Sequence, residues 1–174
     1  MFKELNILKV FLEDSHREFN VREIARILKI APATASKELK NFSKKRVLKE
    51  KKDRNYNLYK ADVDSDIYRN IKVFYNMQKL KDSGLIESLN KYYIKPCIVL
   101  YGSASDGFDT KDSDIDLVIV SEKTNKFPEL KKFEKKLNKE IQIFNIKNLK
   151  DLKNEHLINN VLNGIVLQGK IKWI

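Results

Sequence analysis

The chain has 174 residues, of which 42% are hydrophobic and 34% charged, with a formal net charge of +11. That length suits one domain or two small ones, and the balance is that of a soluble globular protein. No apolar stretch nears the roughly 20 residues of a membrane span, the opening MFKELNILKVFLED lacks a signal-peptide pattern, and the single cysteine, Cys97, leaves no disulfide within the chain, which points to a reducing cytoplasm.

The first elements are helical. Leu5, Leu8, Phe11 and Leu12 recur at helical spacing, and the pattern stops near Asp14-Ser15. Asn20 stands as N-cap of a second helix, VREIARIL, with Glu23 three residues on. Pro32 suits the first turn of a third helix, PATASKELKNFSKK. Ala35, Leu39 and Phe42 form its apolar face, and Thr34, Ser36, Lys37 and Lys40 its polar one. Two extended runs, VLKEK and YNLYK, joined by KDRN, read as a hairpin. Charge is concentrated here: residues 1–60 hold 16 Lys and Arg against 8 Asp and Glu. A polyanion partner explains that excess; a lysine-rich coating over the whole surface explains it equally well.

Three helices and a basic hairpin in this order resemble the winged helix-turn-helix of transcription regulators, with VREIARILKIAPATASKELKNFSKKRVL as the matching core. The resemblance implies that residues 32–44 are a recognition helix for double-stranded DNA. Thr34, Ser36, Lys37 and Lys40 would face the major groove, and Lys51, Lys52 and Arg54 on the hairpin the phosphates. Three positions depart from the pattern: Ala31 stands where a Ser or Thr cap is frequent, and Lys29 and Arg46 where glycine is common. A winged helix used for protein contact or dimerisation is the alternative.

Ile67, Ile71, Phe74, Met77 and Leu80 then continue at three- and four-residue steps, predicting a long connecting helix that extends past Gly84 through LIESLNKYY. From Pro96 strands and helices alternate. CIVLYGS is a strand with Cys97 buried in it, and DIDLVIVS a second. PELKKFEKKLN is a helix opened by Pro128, and EIQIFNI a third strand. LKDLKNEHLINNVLN is a helix stopped by Gly164, and IVLQGKIKW a last strand. Trp173 reads as a packing anchor, and His16 and His156 as surface residues.

The chemistry gathers in YGSASDGFDTKDSDIDLVIV. On a strand Asp114 and Asp116 share one face, and Ile115, Leu117 and Ile119 share the other. Two carboxylates so placed suit one Mg²⁺. Upstream, Gly102-Ser103 follows a strand directly, where glycine permits close approach to a phosphate and Ser103 offers hydroxyl and amide.

Leu100-Tyr101-Gly102-Ser103, ten residues, then Asp114-Ile115-Asp116-Leu117 looks like the signature of the DNA polymerase beta-like nucleotidyltransferases, in particular their minimal members. Gly107 and Ser113 fall where members often carry Gly and Ser. The resemblance implies a nucleoside triphosphate, ATP first, held by Gly102, Ser103 and Ser113, with Asp114 and Asp116 as catalytic and metal-binding acids for Mg²⁺. Two departures bear on activity. Asp106 stands where Lys or Arg is usual, with Asp109 and Asp112 adding negative charge and Lys111 the nearest base. The family's third acid, expected on the next strand, falls on Gln142, with Glu140 two residues earlier.

The expected architecture is thus α/β (α+β) in two domains. A winged helix-turn-helix spans residues 1–61, a helical connector 62–92, and a small mixed-sheet nucleotidyltransferase fold with flanking helices 93–174. The expected function is DNA binding joined to Mg²⁺-dependent transfer of a nucleoside monophosphate to an acceptor. For minimal members that acceptor can be a partner toxin of the HEPN type. A catalytically degenerate, nucleotide-binding regulator stays open, as do an interaction module without nucleotide or DNA, and a homodimer.

Overall fold

The computed structural model describes residues 3–54 and 56–171. The chain divides into two compact units, Met1–Lys72 and Val73–Ile174. It is a mixed α+β protein, as the alternation of patterns implies.

The first unit runs α1 (Lys3–Glu13), β1 (Phe19–Asn20), α2 (Val21–Leu28), α3 (Pro32–Lys44), β2 (Leu48–Asp53) and β3 (Tyr56–Ala61). β3 is the centre of a three-stranded antiparallel sheet in the order β1-β3-β2. The Asn20 side chain caps α2 by accepting from the Glu23 amide at 2.9 Å, which satisfies one of the donors a helix start leaves open. Ala31 gives α3 no such bond, and Pro32 opens that helix instead. Lys29 and Arg46 adopt φ of 53° and 56°. These left-handed conformations are why glycine is favoured at such positions. α1 lies against α2 and α3, and Leu8, Phe11 and Leu12 of α1, Ile24 and Ala25 of α2, and Ala35, Leu39 and Phe42 of α3 are all buried. Phe11 meets Phe19 edge-on with ring centroids 5.2 Å apart. The Leu5 side chain, Asn55 and Trp173 lie outside the described residues.

The connecting helix α4 (Asp66–Ser83) ends earlier than its apolar pattern suggests. Gly84, at φ 82°, breaks it before α5 (Leu85–Tyr93). Leu80 is buried as expected, but the rest of the buried face differs: Ile67 and Phe74 are exposed, while Tyr68 and Lys72 are buried. The reason is polar. The Tyr68 hydroxyl donates to the Phe11 carbonyl at 3.1 Å, and the Lys72 ammonium donates to the Leu12 carbonyl. Both acceptors belong to the last turn of α1, whose carbonyls have no helical partner and whose dipole favours a cation.

The second unit continues with β4 (Cys97–Tyr101), α6 (Ser103–Asp106), β5 (Ile115–Val120), α7 (Leu130–Leu137), β6 (Ile141–Ile146), a 3₁₀ turn (Leu149–Asp151), α8 (Glu155–Leu162) and β7 (Ile165–Gln168). Its sheet is mixed, in the order β6-β5-β4-β7. β5 runs parallel to β6 and antiparallel to β4, and β4 antiparallel to β7. Strand alternation sorts the two faces. Ile98, Leu100, Ile115, Leu117, Ile119 and Ile141 pack under Leu85, Leu89, Phe133 and Leu137 of α5 and α7. Cys97, Val99, Tyr101 and Val118 pack under Leu149, Leu152 and Val161. Burial pushes the Cys97 thiol up, so it is an inert core residue.

Two glycine and proline expectations need correction. Pro128 and Glu129 form a turn, and α7 begins only at Leu130. Gly164 is not a left-handed helix stop. A Cβ there would lie 2.6 Å from the Leu100 carbonyl and 2.9 Å from a Val99 methyl, so its hydrogen side chain is what lets the chain after α8 press against β4.

Candidate functional site

The signature residues converge where β4 and β5 end side by side. Tyr101, the last residue of β4, pairs with Asp116 of β5, and Asp116 pairs on its other side with Gln142 of β6. Three adjacent strands thus present Tyr101, Asp116 and Gln142 in one row of the sheet. Asp114 stands one residue before β5 and on the same face, because the Gln142 amide nitrogen donates to its Oδ2 at 2.7 Å.

Gly102 follows Tyr101 with φ 72° and ψ −159°, a region open essentially to glycine alone. The need is also steric: a Cβ at Gly102 would sit 2.7 Å from Asp116 Oδ2. The turn therefore lies against the carboxylate itself. Ser103 begins α6, and the turn closes tightly: the Ser105 amide and hydroxyl donate to the Gly102 carbonyl at 3.0 and 2.7 Å, and the Phe108 amide to the Ser103 carbonyl at 3.0 Å. Gly107 caps α6 in the left-handed conformation.

Burial first, and then the charge of Asp114, raise the Asp116 carboxyl above the usual aspartate range. Burial, with Asp116 adding to it, pushes the Tyr101 phenol up to about 12. Asp116 is thus an acid held in a partly desolvated place beside a like charge, which is unfavourable until something positive arrives.

The remaining residues of the loop have more specific places. Ser113 turns its hydroxyl inward, accepting from the Thr110 amide at 2.9 Å and lying 3.1 Å from the Thr110 hydroxyl. It braces the 110–113 turn that leads into Asp114. Glu140 precedes β6, and its carbonyl accepts from the Ile115 amide at 2.9 Å. Glu140 lines, with Lys111, Ser113 and Asp114, an open depression of about 260 Å³. Asp106 is exposed. Asp109 does not add free negative charge as the sequence suggests. It is 2% exposed and paired with Lys139 at 3.2 Å. Sequence reading passed over Lys139 altogether, because an ion pair across 30 residues leaves no local signal.

In the first unit, Lys37, Lys40 and Thr34 are exposed on α3, with Ser36 half-buried at its flank. Ser36, Pro32, Asn20, Arg22, Tyr56 and Asn57 line a groove of about 420 Å³. Lys51, Lys52 and Arg54 are exposed on the hairpin, with Lys51 3.8 Å from Glu18. Lys49 is engaged by Asp62 and Asp64. Among the described residues, no group of three or more His, Cys, Asp or Glu gathers as a metal cluster, and no helix is long and apolar enough to cross a membrane.

Comparison with known proteins agrees with the second unit. The model of the family described as polymerase beta, nucleotidyltransferase matches residues 83–171. No curated protein matches the chain. Among solved structures, a possible transcriptional regulator from Methanosarcina mazei Go1 is similar at 20% identity and a TM-score of 0.36, over 53% of this chain and 79% of that one.

Proposed function

The chain belongs to the polymerase beta nucleotidyltransferase family, and from that premise we propose that its second unit binds a nucleoside triphosphate with Mg²⁺ and transfers the nucleoside monophosphate to an acceptor, while its first unit binds double-stranded DNA as a winged helix-turn-helix. ATP is the first substrate to test, and a partner protein the first acceptor. The observation that carries the reading is the contact between Gly102 and Asp116. A turn that needs glycine lies directly against a carboxylate whose proton affinity is already raised.

Donor chemistry supports the metal. Asp114, Asp116 and the amide oxygen of Gln142 are hard oxygen donors of the kind Mg²⁺ takes, and a cation there would relieve the repulsion between the acids. When bound, the metal neutralises triphosphate charge and stabilises the departing pyrophosphate. The chain's own part is to hold. The Gly102–Gly107 turn would offer backbone amides and the Ser103 hydroxyl to phosphate oxygens, and Asp114 and Asp116 would hold the cation. An acceptor oxygen then attacks the α-phosphorus, the bond to the β-phosphate oxygen breaks, and pyrophosphate leaves with its electron pair. The acceptor's proton goes to a base.

That last proton motivates a second reading. The position across from Asp116 is Gln142, a neutral amide that takes no proton and is already donating to Asp114. A nucleotide-responsive DNA-binding regulator without transfer fits this observation. Incubation with ATP labelled at the α-phosphate, Mg²⁺ and a candidate acceptor protein decides between them. Label transferred by the wild type and lost in Asp114→Ala and Asp116→Ala supports the enzyme. Nucleotide binding with no labelled product in any acceptor supports the regulator, and no Mg²⁺-dependent nucleotide binding at all rejects both.

A further inference from the structure

Behind the site lies a buried polar cluster that the proposed chemistry does not use. The Lys139 ammonium donates to Asp109 Oδ2 at 3.2 Å, to the Thr110 carbonyl at 2.6 Å and to the Ser113 carbonyl at 3.0 Å. Its side chain is 12% exposed and that of Asp109 only 1%. On the other side of Asp109, the Asn76 amide donates to Oδ1 at 2.6 Å and also to the Ala104 carbonyl of α6 at 3.0 Å. Asn76, Asp109 and Lys139 therefore link α4, the turn helix α6, the loop before Asp114 and the segment between α7 and β6.

A buried ion pair of this kind is poor evidence for stability, since desolvation offsets most of its attraction. What it does supply is geometry. Lys139 fixes the carbonyl of Ser113, whose carbon is bonded to the Asp114 nitrogen, while Asn76 fixes the carbonyl of Ala104 within the turn. One carboxylate, Asp109, joins the two anchors. Loops that hold functional groups are mobile unless pinned in this way.

We propose that Asn76, Asp109 and Lys139 form a positioning clamp that sets the distance between the phosphate turn and Asp114, and so determines the affinity of the site for a divalent cation–nucleoside triphosphate complex. Lys139 is a positioning residue in this role, and its three bonds leave it no donor for the triphosphate. The inference rests on the nucleotide reading above.

The test uses the full chain with Mn²⁺ as a paramagnetic substitute and ATP, following free Mn²⁺ by electron paramagnetic resonance. Asn76→Leu removes both anchoring bonds at little cost to α4, and Lys139→Met removes the other three. Each is expected to weaken Mn²⁺–ATP binding by about 10- to 100-fold, as loss of outer-shell support does elsewhere, with Lys139→Arg recovering part of it. The spectrum of any bound Mn²⁺ should broaden, because a loosened site holds the ion in several arrangements. Wild-type affinity and spectrum in a folded Asn76→Leu variant would overturn the clamp. Failure of both Asn76→Leu and Lys139→Met to fold would assign the cluster to the domain core and overturn it equally. A wild type that binds no Mn²⁺–ATP would instead sink the nucleotide reading, and this inference with it.

Discussion

Gly102 has no side chain because Asp116 occupies the space: a Cβ would lie 2.7 Å from the Oδ2 atom. Gly102→Ala must therefore move either the turn or the carboxylate. It must also take φ 72° and ψ −159°, a conformation costing a residue with Cβ about 1–3 kcal/mol. The expected result is a folded protein destabilised by about that amount, with Mg²⁺-dependent nucleotide binding lost. Calorimetric titration with Mg²⁺ and a nonhydrolysable ATP analogue reads the binding, and thermal unfolding reads the stability. Full-strength binding in the variant would remove Gly102 from the site.

Asp116 is raised by burial and by Asp114, and the sign of the linkage follows. The folded state prefers the protonated acid, so ionisation destabilises it. That destabilisation is absent below the ordinary aspartate range and fully present above the raised folded value. Without metal, Asp116→Asn should therefore unfold a few degrees higher than wild type at neutral pH, and the difference should vanish on acidification. Mg²⁺ should stabilise the wild type and leave the variant unmoved. Thermal scans across pH, with and without Mg²⁺, check all three. A variant less stable than wild type at neutral pH would contradict the electrostatic account.

These two residues also show what a sequence carries. Period-two alternation was enough to put Asp114 and Asp116 on one face, the family resemblance pointed to Gln142 on the neighbouring strand, and register there pairs it with Asp116. Local chemistry likewise announced the Asn20 cap, whereas at Lys29 and Arg46 only the resemblance, with its frequent glycines, pointed to something unusual, and the positive φ came from the structure. Residues whose reason is distant were not legible. Lys139 matters only through Asp109 and the Thr110 and Ser113 carbonyls, and Gly164 only through the approach of β4. Lys72 looks like a solvent lysine until the end of α1 is seen to offer it a carbonyl. Periodicity misjudged α4 for that reason: it counts apolar residues, and the helix buries a lysine and a tyrosine hydroxyl.

The first unit makes a separable prediction. If α3 enters the major groove, Lys37 and Lys40 meet phosphates or base edges, and Lys52 meets phosphate from the hairpin. Each phosphate contact removed should lower the slope of log affinity against log salt by about 0.9. Lys37→Ala with Lys40→Ala should weaken binding to a DNA duplex strongly. Lys49→Ala should change it little, because Lys49 is held by Asp62 and Asp64. Fluorescence anisotropy over a salt series gives both quantities. Equal effects from Lys49 and from the Lys37–Lys40 pair would mean that bulk charge, not a helix face, binds the DNA.

The sharpest test is at Gln142. Glutamate there keeps the side-chain length and replaces the amide that donates to Asp114 Oδ2 at 2.7 Å with a third carboxylate facing two others. Without metal this should cost about 1 kcal/mol, as like charges across paired strands do, and thermal unfolding would show it. With Mg²⁺ the cost should disappear, since the cation is held by three acids. The new carboxylate, next to Asp114 and Asp116, would also be able to accept a proton, and general bases commonly contribute about 100-fold or more. Gln142→Glu is therefore expected to raise transfer from α-labelled ATP well above wild type, provided that the acceptor is present. Unchanged or lower transfer, in a variant that Mg²⁺ does stabilise, would mean that Gln142 is the residue this site uses, with transfer in the wild type proceeding through one metal-binding pair alone.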